Sequence, residues 1–203
     1  MMNTVLRTAV VAIASSLLVG QSVYSAETYV IDGAHTSIIF GVSHFGYSYT
    51  YGRFNKVSGG YVLDRENPAA SQFQLTISAA SLDTNNPKRD QHLKSPDFFN
   101  VKQFPVISFQ STTIAIEQSK KGPIYNVTGD LTIHGVTRQV TLPLQKLGEG
   151  NGPGGKFRTG FHCETSLNRS EFGMTHMIPK VGNEIALTIS FEGIRQNALA
   201  AAP

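Results

Sequence analysis

Residues 157–167 read FRTGFHCETSL and residues 184–192 read EIALTISFE. In the first stretch Phe157, Thr159, Phe161, Cys163, Thr165 and Leu167 share one parity, and Arg158, Gly160, His162, Glu164 and Ser166 the other. In the second, Ile185, Leu187, Ile189 and Phe191 alternate with Glu184, Ala186, Thr188, Ser190 and Glu192. Successive side chains of a strand point to opposite faces, so each stretch reads as a strand with one apolar and one polar face.

The same rhythm spreads over most of the chain. Val136, Val140, Leu142 and Leu144 alternate with Thr137, Gln139 and Thr141, and Phe73, Leu75 and Ile77 alternate with polar neighbours. Further strands fit residues 28–31, 36–45, 54–63, 106–116 and 124–133, about eight in all. Asn67-Pro68, Lys121-Gly122-Pro123 and His134-Gly135 supply turns, the last tight enough for a two-residue hairpin. Residues 148–155 are glycine-rich and read as a flexible loop within one domain. The expected fold is all-β: eight antiparallel strands closed into a barrel, which leaves no unpaired edge and room for one small ligand. A two-sheet sandwich of similar strand count satisfies the pattern nearly as well.

Two stretches break the rhythm. At Asn86-Pro87 an N-cap residue precedes a proline at the first helical position, which predicts a short helix through Leu93. Ser95-Pro96-Asp97-Phe98-Phe99 repeats the device and predicts a second. The other break is residues 170–181. Apolar material collects in these connections: Phe98, Phe99 and Phe104; Phe45, Tyr47, Tyr49 and Tyr51; and Phe172, Met174, Met177 and Ile178. Loops are ordinarily polar, so these residues are expected to cap a cavity or complete a core. Arg89 and His92 stand three apart on the first helix, and Arg169 borders the late break. A helix start with Arg and His fits an anionic head group, and a surface ion pair fits equally.

The ends of the chain read differently. Arg7, an uncharged apolar run from Val10 to Gly20 and small residues to Ala26 have the order of a cleaved secretory signal. The expected domains are a leader over 1–26, a barrel over 27–197 and a disordered tail over 198–203. The formal charge of +3 is dispersed, which excludes the basic footprint of a nucleic-acid binder. Cys163, the single cysteine, has no partner within the chain and reads as a buried thiol. Catalytic signatures are missing. Gly41-Val42-Ser43-His44-Phe45 lacks the last glycine of a nucleophile elbow. There is no H-E-x-x-H, C-x-x-C or P-loop. The histidines at 35, 44, 92, 134, 162 and 176 show no i,i+4 spacing, so neither a metal nor a cofactor is expected.

Several motifs in order resemble the YceI-like family of lipid- or polyisoprenoid-binding proteins. They are Tyr29-Val30-Ile31-Asp32 with His35 and Phe40, His44-Phe45-Gly46-Tyr47-Ser48 through Gly52-Arg53-Phe54, and Ser81-Leu82-Asp83-Thr84-Asn85. Arg89-Asp90-Gln91-His92-Leu93 running on to Phe99 follows, then Phe104-Pro105-Val106 to Phe109, Gly129 to Thr137, Arg169 to Met174 and Val181 to Glu184. Gln139 departs from the family's usual proline, and Cys163 belongs to none of its motifs.

The resemblance implies a lipocalin-like eight-stranded antiparallel barrel with a hydrophobic pore, exported to the periplasm and needing no metal. It implies a carrier of a long-chain isoprenoid or fatty-chain lipid rather than an enzyme. Phe40, Phe54, Phe98, Phe99, Phe109, Phe172 and Met174 are the expected tail lining, and Arg89, His92, His44 and Arg169 the head-group rim. Expected partners are the lipid, a membrane touched in passing and, in a homodimer, a second copy; nucleic acid and integral membrane insertion are not expected. A second reading makes the protein a periplasmic enzyme or redox partner of a bound isoprenoid quinone, with His35, His44 or His92 facing the reacting atom. A third is an apolar-filled barrel that acts through protein contacts.

Overall fold

The computed structural model describes residues 26–196. The expected leader, apart from Ala26, and the expected tail lie outside the described residues. Eleven strands form eight antiparallel staves. Strands β1 (Glu27–Ile31) and β2 (Ser37–His44) make the first, broken by a 3-10 turn at Gly33–His35. Strands β3 (Ser48–Phe54) and β4 (Val57–Leu63) make the second, and β5 (Gln72–Ser78) with β6 (Leu82–Asp83) the third. The other five are long: β7 (Val106–Ser119), β8 (Gly122–Ile133), β9 (Val136–Asn151), β10 (Phe157–Asn168) and β11 (Val181–Arg195). Each stave pairs with the next, and β11 returns to the first, with Gly193 opposite Ile31 and Leu187 opposite Phe40. The sheet is therefore a closed barrel, and the sandwich is excluded.

The parity read from residues 157–167 holds. Thr159, Phe161 and Cys163 are buried, while their neighbours are more open. The His134-Gly135 turn has φ of 53° and 75°, the double positive pair of a type I′ hairpin; here glycine is needed at the second position.

Four expectations are corrected. Residues 148–151 are not loop: they continue β9 opposite Phe157–Gly160, and the connection shrinks to 152–156. The strand expected over 54–63 starts only at Val57: Phe54 ends β3, and the stave bends at Asn55, whose N–H donates to the Ser81 carbonyl. The Ser95-Pro96 device does not start a helix. Phe98 and Asn100 both donate their N–H to the Ser95 carbonyl, so the chain turns back after one turn, burying Phe98 and half-burying Phe99 against the barrel end. Among the described residues only α1 (Pro87–Leu93) is an α-helix, its Asn86 side chain accepting the Arg89 N–H. Finally, Tyr47, Tyr49 and Tyr51 do not cap anything. They project from the β2–β3 hairpin into solvent, Tyr47 being 90% exposed.

The barrel interior has two unlike halves. At one end Tyr29, Tyr61, Phe73, Tyr125, Phe161 and Phe191 fill the lumen as a solid aromatic floor. Tyr29 stacks on Tyr61 at 4.8 Å and Phe161 on Phe191 at 5.4 Å, and Phe161 meets Tyr61, Phe73 and Tyr125 edge-on at 5.5–5.6 Å. Around the outside of this end Arg65 forks onto Glu149 through two bonds of 2.8 Å and also bonds Glu27, which Arg195 holds at 2.7 Å. Cys163 lies buried in β10, where burial pushes its thiol up to about 11. The other half of the barrel is hollow.

Candidate functional site: an apolar chamber under a two-segment cap

The hollow end is walled by the inward residues of all eight staves. Ile38, Phe40 and Val42 of β2, Phe54 of β3, Leu75 and Ile77 of β5, and Ile107 and Phe109 of β7 form one side. Leu131 and Ile133 of β8, Leu142 of β9, Leu167 of β10 and Ile185, Leu187 and Ile189 of β11 form the other. The cavity measures about 140 Å3, and no nitrogen or oxygen contributes to its exposed wall. Apolar cavities of about 150 Å3 stay dry and admit a benzene-sized guest. Its shape therefore suits hydrocarbon and repels water.

Two segments cap it. The first is α1 with the turns after it, contributing Leu93, Phe98 and Phe99. Asp90 accepts the N–H and hydroxyl of Thr84, and Arg89 donates to the Thr84 hydroxyl and carbonyl at 2.7 Å. These bonds seat the helix on β6. The second segment runs from Arg169 to Lys180 and contributes Met174. It is organised by Arg169, 4% exposed, whose guanidinium donates to the carbonyls of Gly182, Met174, His176 and Val181 at 2.8–2.9 Å. Burial pulls its pKa below the ordinary guanidinium value; the carbonyls replace the lost water. A bulge in β11, between Val181 opposite His44 and Ile185 opposite Val42, delivers two of those carbonyls. It also lets Asn183 accept the Ser170 N–H. The two segments meet where the Arg169 guanidinium lies 5.8 Å from the Phe98 ring centre.

The expected lining residues fall as follows. Phe40, Phe54, Phe98, Phe99, Phe109 and Met174 face the chamber. Phe172 does not: it is fully buried beside the β8–β9 hairpin, where its carbonyl meets His134 Nδ1 at 3.2 Å. The expected rim does not converge on a head group. Arg89 is spent on Thr84, His92 bonds Asp97 at 2.9 Å, and His44 packs on Phe45. Arg169 is a buried structural cation with only carbon on the chamber wall. His35, bonded to Asp32, does not line the chamber either. The aliphatic lining residues were legible as inward-facing by parity, but parity alone does not say which end of the barrel is hollow. Asp97 and His176 gave no local signal.

An antiparallel eight-stave barrel with a floor at one end and an apolar chamber at the other defines a lipocalin-like barrel protein. The chain belongs to the YceI-like family, whose domain matches residues 29–193. A UPF0312 protein of Pseudomonas paraeruginosa is 40% identical over 190 residues, covering 93% of this chain and 97% of its own. Protein YceI of Salmonella arizonae is 39% identical over 186 residues, 91% and 95% of the two chains. Among solved structures, BcnA of Burkholderia cenocepacia matches with a TM-score of 0.70 at 26% identity, over 80% of this chain and 98% of its own. A polyisoprenoid binding domain from Saccharophagus degradans matches at 0.63 over 83% and 98%. At 14% identity, that likeness is one of fold.

Proposed function

We propose that the protein is a periplasmic carrier that holds the hydrocarbon end of an isoprenoid or similar long-chain amphiphile in the capped chamber. The observation that carries this reading is a chamber inside a closed barrel whose exposed wall shows no nitrogen or oxygen. The name of the Saccharophagus relative, a polyisoprenoid binding domain, agrees with it. A wall without a polar atom also favours holding over catalysis: none of His35, His44 and His92 is positioned beside a guest in the chamber.

The size of the chamber sets a condition. Each buried CH2 is worth about 0.8 kcal/mol, against association costs of about 4–15 kcal/mol. A benzene-sized guest recovers too little, so useful affinity requires more chain than the closed chamber admits. The cap, built from two segments that approach each other at Phe98, His92 and Asp97 on one side and Arg169 and His176 on the other, is the part that yields.

The test is extraction of lipid from protein purified out of the periplasmic fraction, read by mass spectrometry, for the wild type and for Leu187→Trp, which fills the chamber. The expected result is a long-chain lipid with the wild type and its loss from the variant. Recovery of none from either, or of equal amounts from both, overturns the reading.

A further inference from the structure

Across the seam of the cap three potential metal donors from its two segments converge. His92 comes from α1, Asp97 from the turn after it, and His176 from the second cap segment. Their ligand atoms all lie within 4.8 Å of one another. His92 Nε2 is 2.9 Å and His176 Nε2 4.0 Å from the same oxygen, Asp97 Oδ2. The first distance is a hydrogen bond; the second is too long for one, so His176 turns an unspent nitrogen toward a carboxylate already in use. Both imidazoles stand edge-on to Phe98, at 5.1 and 5.3 Å, and 5.6 Å from each other. One side of the cluster thus rests on a buried ring, and the other is open to water. The backbone of His176 is fixed by its carbonyl's bond to Arg169.

We propose that His92, Asp97 and His176 form a binding site for a divalent ion of the zinc class, and that the bound ion pins the two cap segments together. Two imidazoles and one carboxylate, with positions left for water, is a donor set that zinc and its first-row neighbours take. Donors bonded at about 2.0–2.2 Å to a tetrahedral ion stand roughly 3.3–3.6 Å apart. The present spacings reach that with side-chain shifts on the order of 0.5–1 Å, available to residues about half exposed. Ligation replaces the His92–Asp97 hydrogen bond and releases any proton the nitrogens carry. The donors are not spaced on one helix face, so no local pattern announces the site.

A second His-carboxylate group, Asp32, His35 and Glu192, provides the contrast. Arg158 already bonds both of its carboxylates, at 2.6 and 2.8 Å, so a cation occupies the place a metal would take.

Metal ligation stands whether or not the chamber holds lipid; the pinning effect rests on the carrier reading. The experiment is therefore in two arms. Calorimetric titration with Zn2+ alone is expected to give one equivalent bound by the wild type. His92→Ala or His176→Ala should weaken it more than tenfold, and His35→Ala should leave it unchanged. The altered side chains are exposed, and circular dichroism checks that the variants fold. Absence of saturable binding, or a loss as large in His35→Ala, overturns the site. In the second arm, the release rate of N-phenyl-1-naphthylamine from the chamber should fall severalfold with Zn2+ for the wild type and not for His176→Ala. An unchanged rate with Zn2+ bound overturns the pinning.

Discussion

Arg169 shows what a single residue does that its charge alone would not suggest. From the sequence it is a cation beside an apolar loop, well suited to an anionic head group. In the fold it donates to four carbonyls at once. Hydrogen bonds to a charged group contribute about 1.5–3 kcal/mol each, and orphaned carbonyls are costly. Arg169→Lys cannot serve four diverging acceptors from one ammonium. We expect it to lose about 3 kcal/mol in urea denaturation, and Arg169→Met at least as much. A loss below about 1 kcal/mol would mean the carbonyls find water instead. The misreading has a physical source. Sequence gives the charge but not the acceptors, which lie 5 to 13 residues away, two of them in the β11 bulge.

At the scale of elements, what the sequence made legible was wherever one face is apolar. Strands β5 and β7 to β11 announced themselves by parity, and α1 by its Asn-Pro start. β3 did not, because its alternation is inverted. Its inward positions are Thr50, Gly52 and Phe54, while Tyr49, Tyr51 and Arg53 point out. Gly52 is small for a reason. A methyl group there would collide with the Phe40 ring directly opposite and with Thr84. Gly52→Ala is therefore expected to push Phe40 into the chamber. Fluorescence titration with N-phenyl-1-naphthylamine should show binding weakened severalfold, with a stability loss of about 1–3 kcal/mol from overpacking. Gly52→Ala combined with Phe40→Leu should recover most of the binding. Unchanged binding in the single variant would mean that the ring moves away from the chamber.

For the whole molecule, the barrel was legible because most staves carry one apolar face and several of the turns between them are short. Which end is hollow was not legible, since floor and wall are built from the same alternation and differ only in residue volume. Acid stability belongs to this scale, because the carboxylates that respond tie staves together at the floor. The bidentate Arg65 contact, helped by Lys146, holds Glu149 down at about 2 from its ordinary 4.5. Arg158 and then His35 hold Asp32 well below the usual carboxylate range. Groups depressed in the folded state stabilise it fully above their unfolded value and lose that contribution as pH falls through the folded one. The thermal midpoint should therefore fall from pH 4.5 toward 2, and Arg65→Met should flatten the decline. An identical profile in that variant would assign the acid sensitivity elsewhere. The aromatic floor has one more effect. A vessel sealed at its base has a single doorway, so a guest backs out along the route by which it entered. On the carrier reading we propose, the end that goes in first comes out last, and whatever hands over or receives the cargo must meet the same rim.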